Sequence, residues 1–135
     1  MFKINKRVEY ALIALKHMSL KKDSCLTSVK ELCNEYSISF DVMSKVLQKL
    51  LSNKIVISKQ GTCGGYCIVV DLKELSLLSL FEIVTSKDAQ INCFSSRKSD
   101  CSLKMTCNIK GPMCELNNKL RDFYNSILVY DLLKS

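Results

Sequence analysis

The order of apolar patterns over the first 70 residues constrains the fold more than any other feature of the chain. Apolar residues recur at helical spacing in three stretches between residues 6 and 51. Two runs with strand character follow, over residues 55–59 and 66–70, and a glycine-rich turn separates them. The chain is therefore predicted to be mainly α-helical with one small β-hairpin.

The second and third helical stretches are separated by only a short turn. Thr27 or Ser28 can cap the second helix, which ends near Tyr36, and Ser39 can cap the third. Two short helices joined in this way form a helix-turn-helix candidate, although this turn contains no glycine. Because any small helical protein can show this arrangement, it is weak evidence when taken alone.

The hairpin strengthens that interpretation, because a β-hairpin directly after a helix-turn-helix is a wing. Gly61, Gly64 and Gly65, three of the four glycines in the chain, lie in its turn. Glycine tolerates positive φ and lets the backbone approach a ligand closely. A phosphate-binding glycine loop would instead open a helix and carry a Lys-Ser/Thr pair, which is absent. We expect the tip to reach a minor groove or a phosphate; the alternative is a plain tight hairpin.

The second half of the chain is predicted to contain two further helices. A short one covers Leu75 to Ser86, and the last begins at Pro112 and runs to about Leu133. Apolar residues of the last helix are spaced by 3, 4, 3, 4 and 3, as in a coiled-coil seam. They are Met113, Leu116, Leu120, Phe123, Ile127 and Tyr130. Such a seam packs on its own domain or on a second copy, and we favour a homodimer, because two-fold symmetry matches a palindromic site.

The predicted organisation has two parts. Residues 1–71 form a winged helix-turn-helix domain. Residues 72–135 hold an irregular cysteine loop (92–111) and the dimerisation helix (112–133).

Positive charge is concentrated in the first part. Residues 1–70 contain 11 Lys and Arg against 5 Asp and Glu, whereas residues 71–135 contain 9 against 8. A basic half favours a polyanionic partner such as double-stranded DNA, because each neutralised phosphate releases counterions. The alternative is a surface that is basic only for solubility.

Candidate DNA contacts follow from the predicted elements. The first turn of the third helix would enter the major groove with Ser39, Asp41, Ser44 and Lys45. Lys45 can bind guanine and Asp41 can accept from cytosine. Phe40 is as suited to the core as to a contact. Phosphate or minor-groove contacts are predicted for Lys49 and for the wing residues Lys59, Gln60, Gly61, Thr62, Gly64, Gly65 and Tyr66.

The interpretation of the eight cysteines depends on whether the protein is exported or stays in the cytoplasm. The first residues lack the uninterrupted apolar core of a signal peptide, and no apolar run approaches the about 20 residues needed to span a bilayer. We therefore expect a cytoplasmic protein without a membrane partner, in which cysteines are free thiols or metal ligands. One histidine and no nucleophile–base constellation argue against an enzyme.

Cys93, Cys101 and Cys107 lie in the irregular stretch Asn92–Gly111. A loop of about 20 residues inside a compact domain is usually functional. Three soft thiolates are suited to holding a metal or an iron–sulfur cluster. Cys33 and Cys67 are predicted to pack in the core and Cys63 to be exposed at the wing tip.

The chain resembles the IscR/NsrR/CymR family of bacterial winged-helix regulators over nearly its whole length. The resemblance rests on residues 8–12, on Ser37-Ile38-Ser39 and on Gly61-Thr62-Cys63-Gly64-Gly65-Tyr66. The last segment is similar to the family's Arg-Gly-x-x-Gly-Gly-Tyr wing, with Gln60 in place of the arginine. The loop cysteines occupy the family's cluster position with seven and five residues between them, where many members have five and five.

The resemblance implies a homodimer that binds a palindromic operator and carries one iron–sulfur cluster (2Fe-2S or 4Fe-4S) per subunit, whose state alters DNA affinity. Such centres are lost in air, so an aerobic sample can lack the cluster. A histidine ligand of one relative is replaced by Lys110. The resemblance favours Glu9 of the partner subunit as fourth ligand, followed by Cys114 and then solvent.

Two alternatives remain open from the sequence. The first is a winged-helix regulator that senses oxidation through thiols, or senses nothing, without a cluster. The second is an interaction module that uses its last helix for docking and does not bind DNA.

Overall fold

The computed structural model describes residues 4–21, 26–86, 102–103 and 105–134. Within these ranges six helices and one two-stranded antiparallel sheet form, and none of the helices is long and apolar enough to cross a membrane. The elements are α1 (Lys6–Leu20), α2 (Val29–Tyr36), α3 (Phe40–Ser52), β1 (Val56–Lys59), β2 (Gly65–Ile68), α4 (Leu77–Thr85), α5 (Lys110–Ser126) and α6 (Val129–Leu133).

Side-chain caps set where the first three helices begin. Asn5 accepts a hydrogen bond from the Arg7 amide at the start of α1. The hydroxyl groups of Ser28 and Ser39 accept from amides in the first turns of α2 and α3, as predicted. Helix α2 ends at Ser37, which has φ 53° and ψ 43° and so occupies the left-handed conformation that a glycine would usually supply.

The hairpin follows α3 directly and has the expected antiparallel pairing. Val56 pairs with Ile68 and Lys59 with Gly65, so the glycine-rich turn closes the far end of the ladder. Thr27 adds an isolated antiparallel bridge to Tyr66. The hairpin is therefore held by backbone hydrogen bonds to the residue that precedes the cap of α2.

One apolar core joins the helix-turn-helix to the helices that follow the hairpin. Leu15 of α1, Leu32 of α2 and Leu47 of α3 are fully buried in it. Leu80 of α4 and Val129 of α6 belong to the same cluster and are also fully buried. Burial of such side chains contributes roughly 1.5–3 kcal/mol each, so both halves of the chain stabilise one another.

The last helix differs from the single helix predicted from Pro112 to Leu133. It begins at Lys110, ends at Ser126, and is followed by an extended step before α6. In that step the Ile127 carbonyl accepts from the Leu77 amide, and the Val129 amide donates to the Leu75 carbonyl, both at 2.8 Å. The prediction of one continuous helix was wrong because these backbone pairs, together with burial of Val129, outweigh the helical periodicity.

Candidate nucleic-acid interface and cysteine region

Helix α3 has an apolar side in the core and a polar side in solvent. Met43, Val46, Leu47 and Leu50 are buried. Of the predicted base contacts, Ser39, Asp41 and Lys45 are exposed and Ser44 is half-buried. Phe40, for which the sequence left core and contact open, is 64% exposed at the first position of the helix. An aromatic ring in this place is available for an apolar contact such as a thymine methyl group.

An ion pair joins two of the predicted base contacts. The Lys45 ammonium lies 3.0 Å from an Asp41 carboxylate oxygen, one helical turn away, and both side chains are well exposed. An exposed pair of this kind contributes only about 0.3–0.5 kcal/mol, so either group can leave it for a base edge at small cost. In the free protein the pair compensates one positive charge of the α3 surface.

The glycine pattern of the wing has a structural cause. A Cβ atom on Gly64 would lie 2.5 Å from the Lys59 carbonyl oxygen, and one on Gly65 would lie 2.7 Å from the Thr27 carbonyl oxygen. Tyr66 exchanges two backbone hydrogen bonds with Thr27, at 3.0 and 2.8 Å. Glycine is thus required at position 64 inside the hairpin and at position 65 beside Thr27, just before α2. The pairing of Tyr66 with Thr27 fixes the wing relative to the helix-turn-helix.

The outer part of the wing is open to solvent. Lys59, Gln60 and Thr62 are exposed. Gly61 has φ 123° and open space where a side chain would stand. The turn therefore presents one cation, two polar side chains and exposed backbone, a set that can contact phosphates or a minor groove.

A groove lies between the start of α1, the outer face of α3 and α4. Its volume is about 290 Å³. The polar residues that line it are Arg7, Lys45, Gln48, Lys49 and Ser52. Arg7, Gln48 and Ser52 were not among the predicted site residues. Helical periodicity shows that Arg7 is exposed, but only the packing of α1 against α3 brings it to the same groove as the lysines.

Of the three loop cysteines, the structure describes Cys107, while Cys93 and Cys101 lie outside the described residues. Cys107 is half-buried three residues before α5, and Cys114 is half-buried within the helix. In the described ranges no three His, Cys, Asp or Glu side chains lie close enough together to hold a metal ion. The predicted ligand set therefore remains a prediction.

Of the other cysteines for which the sequence predicted an environment, Cys33 and Cys63 have the expected one and Cys67 does not. Cys63 is exposed in the wing turn, as predicted. Cys33 is partly buried and packs against the core cluster. Cys67 is half-buried on β2 rather than fully enclosed, and Cys25 lies outside the described residues.

Glu9, the predicted fourth ligand, has an ionic partner on its own helix. A Glu9 carboxylate oxygen lies 3.0 Å from the Lys6 ammonium. The hydrogen bond and the negative charge of Glu9 raise the pKa of Lys6. Both side chains are largely exposed, so this pair opposes ligation of a metal by Glu9 only weakly.

His17 takes part in a polar cluster between α1 and α2. Its Nδ1 lies 2.8 Å from the Tyr36 hydroxyl and its Nε2 lies 2.9 Å from a Glu31 carboxylate oxygen. The Lys21 ammonium forms an ion pair with the same carboxylate. Both ring nitrogens of His17 are therefore engaged in contacts within the protein.

Comparison with known proteins connects this arrangement to a family. The family model named Rrf2, described as iron-dependent transcriptional regulator, matches residues 4–135. The chain belongs to the Rrf2 family. This agrees with the resemblance seen in the sequence and with the prediction that the chain is not an enzyme, because the Rrf2 relatives are transcription regulators.

Two curated relatives cover nearly all of this Rrf2 chain. The transcriptional regulator NsrR of Oceanobacillus iheyensis is 26% identical over 135 residues, which cover 98% of this chain and 90% of the relative. The transcriptional regulator IscR of Vibrio campbellii is 22% identical over 132 residues, which cover 98% and 77%.

Solved structures confirm the fold. CymR, the global cysteine regulator of Bacillus subtilis, has a TM-score of 0.73 at 16% identity, covering 99% of this chain and 98% of the other. IscR of T. potens has a TM-score of 0.69 at 17% identity, covering 98% and 87%. The predicted winged, mainly helical architecture of this Rrf2 protein is thereby confirmed.

Proposed function

We propose that this Rrf2 protein is a homodimeric, sequence-specific DNA-binding regulator whose operator affinity is controlled by an iron–sulfur cluster. The observation that carries the DNA-binding part is the exposed polar face of α3, held beside a wing that is fixed to α2 by the Thr27–Tyr66 bridge. A DNA regulator of this kind would act in the cytoplasm, where the bacterial chromosome lies.

Base contacts are assigned to the first turn of α3 and backbone contacts to its flanks. Ser39, Asp41, Ser44 and Lys45 would meet base edges in the major groove, where Lys45 leaves Asp41 to bind guanine. Lys49 and the wing residues Lys59, Gln60, Gly61, Thr62, Gly64, Gly65 and Tyr66 would contact phosphates or the minor groove, directly or through their backbone.

The dimer is assigned to the apolar side of α5 and the residues after it. Leu116 is 45% exposed, Phe123 is 60% exposed and Tyr130 is 39% exposed, so the predicted seam is still open to solvent in one subunit. A row of large exposed apolar side chains favours a protein partner, and a second copy gives the two-fold symmetry that a palindromic operator needs.

The cluster is assigned to Cys93, Cys101 and Cys107, with Glu9 of the partner subunit or Cys114 as fourth ligand. Thiolates with one carboxylate or a fourth thiolate suit iron, and the description of the family model as iron-dependent agrees with this choice. When bound, the cluster would supply a centre that reacts with oxygen or nitric oxide. The names NsrR and IscR among the relatives support the same branch.

A hydrogen bond links the end of α4, which precedes the proposed sensing segment in the chain, to α3. Ser86, which ends α4 and is the last described residue before Cys93, accepts through its hydroxyl from the Lys49 ammonium. After the segment, Arg121 of α5 forms an ion pair with Glu82 of α4 at 2.9 Å. Reordering of the loop between these two points would therefore reach both α3 and the dimer helix.

Anaerobic purification tests this proposal. We expect iron and sulfide in the wild-type protein, and loss of both in Cys93→Ala, Cys101→Ala and Cys107→Ala. Cys63→Ala, which removes an exposed cysteine of the wing turn, is the matched control and should keep its iron. Operator binding before and after nitric oxide should then differ in the wild type and in Cys63→Ala, but not in the three variants that lose their iron. Protein that stays free of iron after reconstitution would refute the cluster.

A cluster-free thiol sensor is the second candidate. It is favoured by the similarity in fold to CymR, which is named as a cysteine regulator and whose Staphylococcus aureus form has been solved oxidised. DNA-binding measurements distinguish the two candidates. A thiol sensor would bind DNA without iron, and its binding would respond to peroxide rather than to iron chelation.

A further inference from the structure

We propose that Arg7 and Lys49 together hold one backbone phosphate of the DNA in the groove between α1, α3 and α4. The proposal rests on DNA binding as proposed above and extends the interface to α1, which no prediction or comparison assigns to it. Arg7 would then be a positioning contact that sets how α3 enters the major groove.

The groove has the size and lining for a phosphate group. Its volume of about 290 Å³ exceeds the about 30 Å³ that one water occupies in the liquid, so a phosphate fits together with several waters. Val46 and Val84 supply the apolar part of its lining, and Gln48 and Ser52 add neutral hydrogen-bonding groups. Lys45, which is assigned to the bases, also lines the groove.

The side chains that line the groove carry an excess of positive charge, which a bound anion would balance. Lys45 is compensated by Asp41 at 3.0 Å. Lys49 has the neutral Ser86 hydroxyl as its partner. Among the described residues the Arg7 guanidinium has no carboxylate partner, whereas its neighbour Lys6 is paired with Glu9 at 3.0 Å. Two cations, Arg7 and Lys49, therefore face the groove without a counter-charge in the described part of the chain.

An arginine–lysine pair has the hydrogen-bond donors and the charge that a phosphate group needs. The planar guanidinium of Arg7 can donate two parallel hydrogen bonds to phosphate oxygens, and the Lys49 ammonium adds a point charge. Because Arg7 lies on α1 and Lys49 on α3, a phosphate shared by both would fix the register of the two helices on the duplex.

Salt-dependent binding to a duplex of random sequence tests the proposal. Log affinity is plotted against log salt for the wild type, Arg7→Gln, Lys49→Gln and the matched control Lys6→Gln. Loss of one phosphate contact should lower the slope by about 1 in Arg7→Gln and in Lys49→Gln. Lys6→Gln removes the same charge one residue away, outside the groove, and should keep the wild-type slope.

The double variant shows whether one phosphate is shared. If Arg7 and Lys49 hold the same phosphate, the double variant should lower the slope by about 1 rather than by about 2. Arg7→Lys keeps the charge and should keep the slope while binding more weakly. Wild-type slopes in both single variants, or an additive loss of about 2, would overturn the clamp. A wild-type protein that binds no duplex would instead refute the proposed function.

Discussion

Single residues determine the backbone conformation of the turns in the winged helix-turn-helix. Ser37 ends α2 in the left-handed conformation, with φ 53°, in a turn that has no glycine. A β-carbon in this conformation is strained by roughly 1 kcal/mol, and glycine removes that strain. Gly64 and Gly65 show the opposite case, because a β-carbon there would strike the backbone of Lys59 or Thr27.

Replacing Ser37 with glycine should stabilise the protein. We expect Ser37→Gly to raise the free energy of unfolding by about 0.5 kcal/mol, since relief of left-handed strain exceeds the entropy that glycine adds to the unfolded chain. Chemical denaturation followed by circular dichroism measures it. Ser37→Ala keeps the β-carbon and should bring no gain; equal gains in both variants would show that strain is not the cause.

At the scale of elements, α1 and α2 are joined by charge as well as by the core. Glu31 of α2 meets His17 and Lys21, which lie on α1 and at its end. Partial burial raises the pKa of Glu31, but hydrogen bonds from Lys21 and His17 outweigh it, so the pKa lies below its ordinary value of 4.5. The charged form of Glu31 is therefore favoured in the folded state.

The contribution of Glu31 to stability should depend on pH. A carboxylate whose folded pKa is lowered stabilises the fold above its unfolded pKa and loses that contribution as pH falls through the folded pKa. The difference in unfolding free energy between the wild type and Glu31→Gln should therefore be constant near neutral pH and shrink below the ordinary value of 4.5. Urea denaturation over this pH range measures it.

Glu35→Gln provides the control for that measurement. Glu35 is an exposed carboxylate on the same helix, and no ion pair involves it among the described residues. Its substitution should change stability by a small amount that does not vary in the same way with pH. A difference for Glu31→Gln that stays the same at every pH would contradict the assigned cause.

At the scale of the whole molecule, the second half of the chain returns to the core that the first half begins. Val129 is buried beside residues of α1, and the Lys16 ammonium donates to the Leu133 carbonyl at the end of α6. The apolar side of α5 is left open, with Phe123 60% exposed. A single subunit therefore buries its core but leaves the apolar side of α5 exposed to solvent.

Dimerisation should therefore depend on Phe123. Phe123→Glu places a charge on the exposed seam and should weaken the dimer at least tenfold, about 1.4 kcal/mol or more, since aromatic residues dominate such interfaces. Sedimentation velocity over a range of concentrations measures it. Leu20→Glu is the control, because Leu20 is 74% exposed at the end of α1, outside both α5 and the cysteine loop. If Phe123→Glu dimerises as tightly as the wild type, the seam is not the interface.

Much of the fold followed from local pattern. A helix from about residue 6, a cap of α2 at Thr27 or Ser28, the Ser39 cap of α3 and a hairpin directly after α3 were predicted, because periodicity and capping depend on residues close in sequence. The candidate site was predicted in part: the exposed polar residues of α3 and the wing lie where expected, whereas Arg7 was missed. No short-range signal tells which side chain of α1 faces the groove of α3.

By itself the sequence determined the order and type of the elements as far as α4, the inner and outer sides of α3 and the family, since each depends on residue spacing along the chain. Only the tertiary structure decided that α5 stops at Ser126, that Thr27 pairs with Tyr66, and that Arg7 shares a groove with Lys49. Each of these three results depends on contacts between groups that are far apart in the sequence and come together only when the common core is buried. The spacing of residues along the chain does not predict such contacts.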